Sequence, residues 1–435
     1  MPNSTKKTLL KKLLNLFKTG NNDVLILMLG TVISQAVPIL ASFALARIYT
    51  PDDFGLFQVY FSISMVGTVF MTMRYEMAIM LPENKEDARH VFVLSCLISL
   101  AWSVVILLLV LLFRHPFAAL LKQPSLANSL FVLPFTLLVI GVYQSLNYWS
   151  NRNKQYKRLS FSRVARSVNS SLLSIAFGFV SFMKSTGLII GDSLGQASSA
   201  LFLGARVMSD EPGLFRNVSK VKLKEMAGRY RQFPLFNVPS GLLEKLSGNL
   251  PALILTPFFG VAMVGLFGMS QRMISVPGSV VARAFGDVFR QSATEQYIRN
   301  KECKQLFLQT FRKLAILSVP AFVVLFFVVE PLFVFAFGEE WREAGTYAQI
   351  LMPMFLLQFI VSPLSNMFLV AEQQKKDFFL QICLFLGILS ALYGGYYVFN
   401  SPKATLALYS GVYSLKYIVE LILSYSFSKG KQHAG

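Results

Sequence analysis

The chain has 435 residues, of which 54% are hydrophobic and 14% are charged, and its formal net charge is +19. Soluble globular domains carry roughly 25% charged residues, so this chain has too few polar side chains to cover a water-exposed surface. The positive charge alone would suggest nucleic acid, but the basic residues are spread over many short connections and form no single patch. The composition therefore predicts a polytopic membrane protein and excludes a nucleic-acid partner.

The N-terminal segment 1–23 is basic, with lysines interleaved between leucines in "KKTLLKKLLNLFKTG". It has no small-residue cleavage site of the kind that ends a secretory signal, so we expect it to be retained. Two interpretations are open. The segment is either an amphipathic helix on an anionic inner leaflet, or positive charge that merely flanks the first membrane helix.

Apolar runs separated by charged or turn-rich breaks predict the membrane helices, because about 20 apolar residues span a bilayer. Twelve such segments lie at approximately 24–46, 54–73, 91–113, 128–149, 167–183, 186–205, 233–257, 261–287, 314–336, 345–370, 378–399 and 404–426. The alternation of apolar and polar residues that marks membrane β-strands is not visible. We therefore predict an all-α membrane protein with twelve transmembrane helices.

The positions of Lys and Arg predict the orientation of these helices. If the N-terminus is cytoplasmic, the inner connections and termini hold 31 basic residues and the outer connections hold six. Both termini, including the tail 429–435, are therefore predicted to be cytoplasmic.

The stretch "RIYTPDD" at 47–53 separates two charge-free runs and is predicted to be a short external turn. Pro51 cannot continue a helix interior, and Asp52 or Asp53 can cap a helix that starts at Phe54. An offset of 210 residues places 40–57 on 250–267, and both stretches end in Gly-Leu-Phe. This repeat predicts two six-helix halves, a plan that transporters use with the substrate between the halves.

The predicted lobes are 24–206 and 233–428, joined by the polar cytoplasmic linker 207–232. We expect a pseudo-two-fold axis along the membrane normal to relate them.

Six stretches carry a family resemblance through their order and spacing. They are "LARIYTPDDFGLF" (45–57), "RYEMAIMLPENKEDA" (74–88), "NYWSNRNKQYKRLSFSRV" (147–164), "GLIIGDSLGQ" (187–196), "FPLFNVPSGLLEKLSGNLP" (233–251) and "SQRMISVPGSVVARAFGDVF" (270–289). Together with the twelve-helix plan, they resemble the Wzx-like polysaccharide and O-antigen flippases of the multidrug/oligosaccharidyl-lipid/polysaccharide (MOP) exporter superfamily.

The resemblance implies the MATE-like MOP fold in the bacterial plasma (inner) membrane. It implies a flippase that moves an undecaprenyl-diphosphate-linked oligosaccharide, an O-antigen or other surface polysaccharide repeat unit, from the cytoplasmic to the outer face by alternating access. Membrane lipids and other polysaccharide assembly proteins are the further partners it implies. No cofactor is expected, and coupling to a proton or sodium gradient is an open expectation.

Charged residues inside the predicted helices, or at the inner end of one in the case of Arg74, are the candidate substrate-binding groups, because a charge in the membrane costs at least a few kcal/mol and usually faces an interior. They are Arg272, Lys416, Lys245, Glu244, Glu420, Arg74 and Asp192. The candidate polar groups for sugar hydroxyls are Tyr143, Asn147, Asn237 and Gln271. Arg272 lies about 16 Å into its predicted helix, close to the membrane midplane.

We hypothesise that Arg272 and Lys416 line one central cavity and attract a diphosphate, since arginine forms forked contacts with phosphate and lysine acts as a point charge. Other roles for these charges are open. Lys416 and Glu420 are spaced i, i+4 and could neutralise each other, and Glu244 could pair with Lys245 or Arg272. Arg74, like Arg163 and Arg166, could simply mark the inner end of a helix.

Two alternative functions stay open beside the flippase. A cation-coupled small-molecule or multidrug exporter of the same superfamily would favour an acidic cavity, whereas the deep charges include Lys245, Arg272 and Lys416. A membrane polysaccharide polymerase would need a sizeable external catalytic loop, and the outer connections are short. The three histidines and three cysteines have no metal-ligand spacing, and no nucleophile–base pair is visible, so we expect no metal site and no catalysis.

Overall fold

The computed structural model describes residues 22–180, 186–216 and 218–430. Within these ranges the chain is helical and contains no strand, which confirms the predicted fold class. The helices of 20 or more residues are α1 (Asn22–Ile48), α2 (Pro51–Met71), α3 (Lys85–Leu120), α4 (Leu133–Arg152), α5 (Tyr156–Gly178), α6 (Gly187–Asp210), α7 (Val238–Phe259), α8 (Val261–Asn300), α9 (Lys304–Phe337), α10 (Arg342–Leu364), α11 (Gln374–Gly394) and α12 (Pro402–Ser428). Most of the predicted N-terminal segment 1–23, and residues 431–435 of the predicted tail, lie outside the described residues.

Several helices extend beyond their predicted limits. α5 begins at Tyr156 instead of 167, and α8 continues to Asn300 instead of ending near 287. An apolar segment ends at the first charged residues. The helical hydrogen bonding of the backbone continues through Arg and Gln, because these residues are good helix formers. Consequently Arg163 and Arg166, which precede the predicted segment 167–183, lie within α5.

Nine helices in the described residues are long and apolar enough to cross a membrane. Helices α5, α7 and α8 are not among them, because polar and charged residues lower their hydropathy. Leu112 and Phe335 are 70% and 85% exposed, and extended surfaces of such side chains suit lipid better than water. The protein is thus a multi-pass helical membrane protein, while the number of twelve spans stays a prediction.

The chain packs as two compact units whose segments alternate along the sequence. The first unit comprises the described parts of 1–42, 67–114 and 128–241, and the second comprises those of 43–66, 115–127 and 242–435. The lobes predicted at 24–206 and 233–428 follow chain order instead. Their boundaries, the linker 207–232 and the pseudo-two-fold axis stay predictions.

The core of the first unit is built around aromatic residues of α3 and α4. The ring centroids of Phe92 and Trp149 are 5.4 Å apart, and both side chains are buried. A short helix, Lys220–Arg229, adds Met226 to the same core. Part of the polar stretch at 207–232 is therefore packed against this unit.

The turn between α1 and α2 belongs to the second unit and differs in detail from the prediction. α2 begins at Pro51, three residues before the predicted start at Phe54, with proline at the first helical position. The Asp53 carboxylate accepts a hydrogen bond from the Thr50 backbone N–H at 3.0 Å, and the Asp53 N–H donates to the Thr50 hydroxyl at 3.4 Å. Thr50 is therefore the capping residue, and Asp53 completes a capping box.

The two Gly-Leu-Phe sequences open α2 and α8, and they pack against each other within the second unit. A Cβ atom on Gly55 would collide with the backbone carbonyl of Val261, and one on Gly265 would collide with that of Pro51. Pro51 and Val261 are related by the same 210-residue offset as the two glycines. The contact is therefore reciprocal, as at a two-fold axis.

Candidate substrate-binding site

A cavity of about 350 Å³ lies in the second unit, between α8, α9 and α10. Hydroxyl and amide groups line it, namely those of Ser275, Ser279, Gln358, Ser362 and Asn366. The aromatic rings of Phe322, Phe355 and Phe359 form other parts of the wall, and Arg283 and Asp287 add one charge of each sign. Amides and hydroxyls both donate and accept hydrogen bonds, so this lining suits a ligand that carries many hydroxyl groups and some apolar surface.

One face of α8 carries a polar stripe toward this cavity. Arg272, Ser275, Ser279 and Arg283 follow one another at helical spacing, so they lie on the same side of the helix. Ser275, Ser279 and Arg283 line the cavity, and Arg272 precedes its first lining residue, Ile274, by two positions. Sequence reasoning selected Arg272 and missed the other three, although their spacing is readable from the sequence.

Arg272 is half-buried and lies near an aromatic ring of α2. Its guanidinium carbon is 5.8 Å from the ring centroid of Phe57, within the range of a cation–π interaction. The neighbouring Gln271 donates a hydrogen bond from Nε2 to the Tyr409 hydroxyl at 3.5 Å. The predicted residues Arg272 and Gln271 are therefore held by different helices, α2 and α12.

Lys416 and Glu420 form an ion pair one helical turn apart on α12. The Lys416 Nζ atom is 2.6 Å from the Glu420 Oε2 atom, and the two side chains are only 12% and 6% exposed. This distance matches the alternative interpretation, in which Lys416 and Glu420 neutralise each other. Neither Lys416 nor Arg272 is part of the cavity wall described above, so the central cavity that they were hypothesised to share stays a prediction.

Tyr409, Tyr413 and Tyr417 lie at successive turns of α12 beside this ion pair. Their neighbouring ring centroids are 5.0 and 6.2 Å apart. Their spacing of four residues is visible in the sequence, and sequence reasoning did not use it.

Glu244 and Lys245 are neighbours on α7 and interact with each other. The Lys245 Nζ atom is 3.6 Å from the Glu244 Oε1 atom, while the Glu244 side chain is 73% exposed. Of the two partners predicted for Glu244, Lys245 and Arg272, the structure pairs it with Lys245.

In the first unit, Arg74 precedes the one-turn helix Tyr75–Ala78, which follows α2 and contains Glu76. Arg74 has a left-handed backbone with φ of 63°, and its Nη1 atom is 3.9 Å from Oε1 of Glu76. The Thr72 hydroxyl donates a hydrogen bond to Glu76, whose side chain is 3% exposed. Burial raises the pKa of the Glu76 carboxyl above its ordinary value, and the Thr72 hydrogen bond and the Arg74 charge oppose that rise.

The Arg74 guanidinium packs against α7's first turn, where a Cβ atom on Gly241 would collide with Arg74 Nη2. Asn237, one turn earlier, points its amide nitrogen at the sulfur of Met77 at 3.9 Å. The Arg74 Nε atom is buried and has no hydrogen-bond partner among the described residues. Arg74 and Asn237, predicted from separate stretches, therefore belong to one neighbourhood.

Asp192 lies on α6 and accepts hydrogen bonds from two polar side chains. Ser170 Oγ of α5 donates to it at 3.3 Å, and Gln196 Nε2 donates at 3.0 Å. On α4, the Tyr143 hydroxyl is 3.3 Å from the Ser162 hydroxyl, and Asn147 follows one turn later, half-buried. These contacts join α4, α5 and α6.

The structure thus distributes the predicted residues over both units. The first unit contains Arg74, Tyr143, Asn147, Asp192 and Asn237, and the second contains Glu244, Lys245, Gln271, Arg272, Lys416 and Glu420. Across the ranges described, no cluster of three or more His, Cys, Asp or Glu side chains could hold a metal ion.

Comparisons with known sequences point to one biological process. The sequence profile of a family described as "polysaccharide biosynthesis protein" matches residues 44–346. The teichuronic acid biosynthesis protein TuaB of Bacillus subtilis (strain 168) is 21% identical over 286 residues, which are 63% of this chain and 56% of that protein. The succinoglycan biosynthesis transport protein ExoT of Rhizobium meliloti (strain 1021) is 22% identical over 311 residues, 69% of this chain and 59% of that protein. The chain thus spans less than two thirds of the length of these relatives.

Two solved structures share the arrangement of helices. The lipid II flippase MurJ in an inward closed conformation superposes with a TM-score of 0.71 at 12% identity, covering 92% of this chain and 87% of that one. A multidrug resistance MATE family transporter of the MOP superfamily, in an inward-facing conformation, gives a TM-score of 0.68 at 13% identity over 90% and 93% of the two chains. At these identities the likeness shows the fold alone.

Proposed function

Because the chain belongs to the polysaccharide biosynthesis protein family and has the MOP fold, we propose that it is a flippase for a lipid-linked glycan. Its substrate is an undecaprenyl-diphosphate-linked oligosaccharide, and it moves this substrate from the cytoplasmic to the outer face of the bacterial inner membrane. The protein transports the glycan by alternating access and catalyses no reaction on it. Other polysaccharide assembly proteins supply and receive the substrate.

The polar stripe of α8 is the observation that carries this proposal. A diphosphate-linked glycan needs a cation for its phosphates and a hydroxyl-rich surface for its sugars, both within the membrane. Arg272 offers the forked donor geometry that suits phosphate, and the adjoining cavity offers serines, amides and aromatic rings. A charge so deep in a membrane helix is costly, which supports a functional role.

The charges also favour a phosphate-bearing substrate over a cationic drug. An exporter of cations would need carboxylates that face its cavity. One carboxylate, Asp287, lines the cavity, but Arg290 pairs with it at 3.5 Å and Arg283 lines the same cavity. Glu420 is paired with Lys416, and Asp192 accepts hydrogen bonds from Ser170 and Gln196. A proton or sodium gradient drives the cycle in this proposal, and no described residue is assigned to the coupling ion.

Replacement of Arg272 tests the proposal in a strain that lacks the chromosomal copy of the gene. We expect Arg272→Ala to abolish surface glycan and Arg272→Lys to retain part of it, because lysine keeps the charge without the fork. Arg299→Ala is the matched control, since Arg299 lies in the last turn of the same helix, is exposed, and does not line the cavity.

Surface glycan is measured by gel and lectin staining, and inserted protein by immunoblot of membranes. Transport is measured directly with proteoliposomes, through protection of a fluorescent undecaprenyl-diphosphate-linked oligosaccharide from an external quencher. Normal glycan and normal transport in Arg272→Ala, at normal protein levels, would contradict the proposal.

A further inference from the structure

The first unit contains two adjoining cavities, one polar and one apolar. Both are separate from the candidate substrate-binding cavity of the second unit. One cavity of about 410 Å³ is lined by Lys85, Glu86, Arg89, Trp149, Glu211, Gly213 and Leu214. The other, of about 480 Å³, has an almost entirely apolar wall. Leu214 lines both, so the polar cavity and the apolar groove meet at this residue.

The helix α3 runs along both cavities with one continuous stripe. Lys85, Arg89, Phe92 and Cys96 are spaced four, three and four residues apart, so they share one face of the helix. Lys85 and Arg89 line the polar cavity, and Phe92 and Cys96 line the apolar groove. The character of the surface therefore changes from charged to apolar along a single helix face.

The apolar groove is formed by α3, α4 and α6 together with the stretch after α6. Its walls are supplied by residues such as Val142, Leu146, Ala200, Leu201 and Phe215. Its volume suits one acyl chain of ordinary length and only part of a long polyisoprenoid. Because the groove is lined by membrane helices, hydrocarbon is the natural filling for it.

The polar cavity is lined by two cations and two anions, so it is neutral overall and suits a ligand that carries charges of both signs. Lys85 pairs with Glu211 at 3.0 Å, and Lys222, outside the cavity wall, pairs with Glu86 at 2.9 Å and with Asp87 at 3.9 Å. Arg89 also lines the cavity, and its Nε atom is buried without a hydrogen-bond partner among the described residues. A phosphate would supply that partner, and the carboxylates of Glu86 and Glu211 would face an ammonium group beside it.

From this geometry we propose that the first unit binds one glycerophospholipid with a phosphate–ammonium headgroup, such as phosphatidylethanolamine. The phosphate lies on Arg89, the ammonium lies beside Glu86 and Glu211, and one acyl chain fills the groove beyond Leu214. The predicted topology puts the charged end of α3 on the cytoplasmic side, so this lipid belongs to the inner leaflet. The site is independent of the glycan that the protein moves.

Photocrosslinking in liposomes tests the site with the full-length protein. The probe is phosphatidylethanolamine with a diazirine in one acyl chain, and crosslinked peptides are mapped by mass spectrometry. We expect crosslinks in α4 and α6 around Val142 and Ala200. The same probe built on phosphatidylglycerol, or on diacylglycerol without phosphate, should label these peptides several-fold less.

Two variants distinguish the contribution of the lipid headgroup to binding from that of the acyl chain. Arg89→Gln should reduce labelling at least tenfold, because it removes the charge-assisted hydrogen bonds to the phosphate. Ala200→Phe should fill the groove and reduce labelling to background. Matched controls are Arg206→Gln, whose guanidinium stacks at 5.8 Å from the Phe202 ring outside both cavities, and Leu194→Phe, on the exposed side of α6.

Each variant is first checked for native elution and an unchanged unfolding midpoint in detergent. Equal labelling by diacylglycerol would overturn the headgroup site, and equal labelling by phosphatidylglycerol would overturn the ammonium contact. Stronger capture of a diazirine-bearing polyisoprenyl phosphate would assign the groove to the transported lipid instead. Labelling that Ala200→Phe leaves unchanged would contradict the groove itself.

Discussion

Glu76 is a buried carboxyl in the one-turn helix Tyr75–Ala78 after α2, and its protonation affects stability. Burial raises its pKa above the ordinary value of 4.5. A group whose pKa is raised by folding stabilises the folded state fully below its ordinary pKa, and this contribution is lost as the pH rises through the folded pKa. Stability should therefore fall with rising pH from about 4.5 upward, by about 1.4 kcal/mol for each unit of the shift.

The change Glu76→Gln tests this argument, because the amide imitates the protonated carboxyl and can still accept the Thr72 hydrogen bond. We expect the variant to be more stable than the wild type at pH 8 and to lose that advantage toward pH 4.5. Thermal unfolding in detergent across this range measures the effect, and Glu225→Gln, on an exposed residue, is the control. A constant difference at all pH values would refute it.

The ion pair of Lys416 and Glu420 makes a second prediction at the scale of residues. Removing one partner of a buried pair typically costs about 3–5 kcal/mol because the other charge stays buried, whereas replacing both with apolar residues is often neutral. We expect Glu420→Leu to be strongly destabilised and the double variant Lys416→Met/Glu420→Leu to recover most of the loss. Unfolding midpoints in detergent provide the measurement.

Surface glycan in the same double variant distinguishes a structural pair from a substrate site. If Lys416 binds the diphosphate, the double variant should be stable and inactive. If the pair is structural, activity should return together with stability. The 2.6 Å separation of Lys416 Nζ and Glu420 Oε2 favours the second outcome.

The sequence could identify individual intramembrane charges, but it could not say which of them are paired. The spacing of Lys416 and Glu420 permits their ion pair, and the depth of Arg272 follows from residue counting. The neighbourhood of Arg74 with Asn237 and Gly241 depends on how distant segments pack, which no local pattern contains. The family resemblance is confirmed by the profile that matches 44–346.

The crossing of α2 and α8 gives a prediction at the scale of elements. Gly55 and Gly265 lie at the contact between the two helices, and an added methyl group on either meets the backbone of the other helix. Such overpacking typically costs about 1–3 kcal/mol. We expect Gly55→Ala and Gly265→Ala to lower the unfolding midpoint to a similar extent, because the contact is reciprocal.

Gly411→Ala provides the matched control for this pair. Gly411 lies within α12, and a Cβ atom there would meet nothing within 4 Å. The alanine should be neutral or stabilise by about 0.5–1 kcal/mol, since glycine is a poor residue in a helix interior. Equal effects at all three glycines would mean that the crossing is not tightly packed.

Element positions were largely predictable, and the exceptions have a common cause. Each of the twelve long helices overlaps an apolar segment of the sequence, because burial in lipid demands such segments. The predicted limits of α5 and α8 were wrong because hydropathy measures how apolar a segment is and carries no information on whether the helix continues beyond it. The Thr50–Asp53 capping box corresponds to a Thr-x-x-Asp pattern in the sequence. The predicted start of α2 was too late because Pro51 was interpreted as a helix breaker and not as the first helical residue.

At the scale of the whole molecule, the basic residues argue for one orientation in the membrane. With 31 of them in the inner connections and termini and six outside, the positive-inside rule predicts cytoplasmic termini. The rule acts during insertion and leaves no trace in the packing of the helices. Orientation therefore stays a prediction that only accessibility can test.

Single cysteines in an intact-cell assay provide that test, after Cys96, Cys303 and Cys383 are replaced by serine. Suitable external positions are Asp52 and Glu340, which are exposed, whereas Asp53 is engaged in the capping box. Lys224 is a suitable internal position, because it is exposed and, unlike Lys222, makes no ion pair with Glu86. We expect a membrane-impermeant maleimide to label Asp52→Cys and Glu340→Cys in intact cells and to label Lys224→Cys only after permeabilisation. The reverse labelling pattern would show that the protein has the opposite orientation in the membrane. The proposed phospholipid would then belong to the outer leaflet.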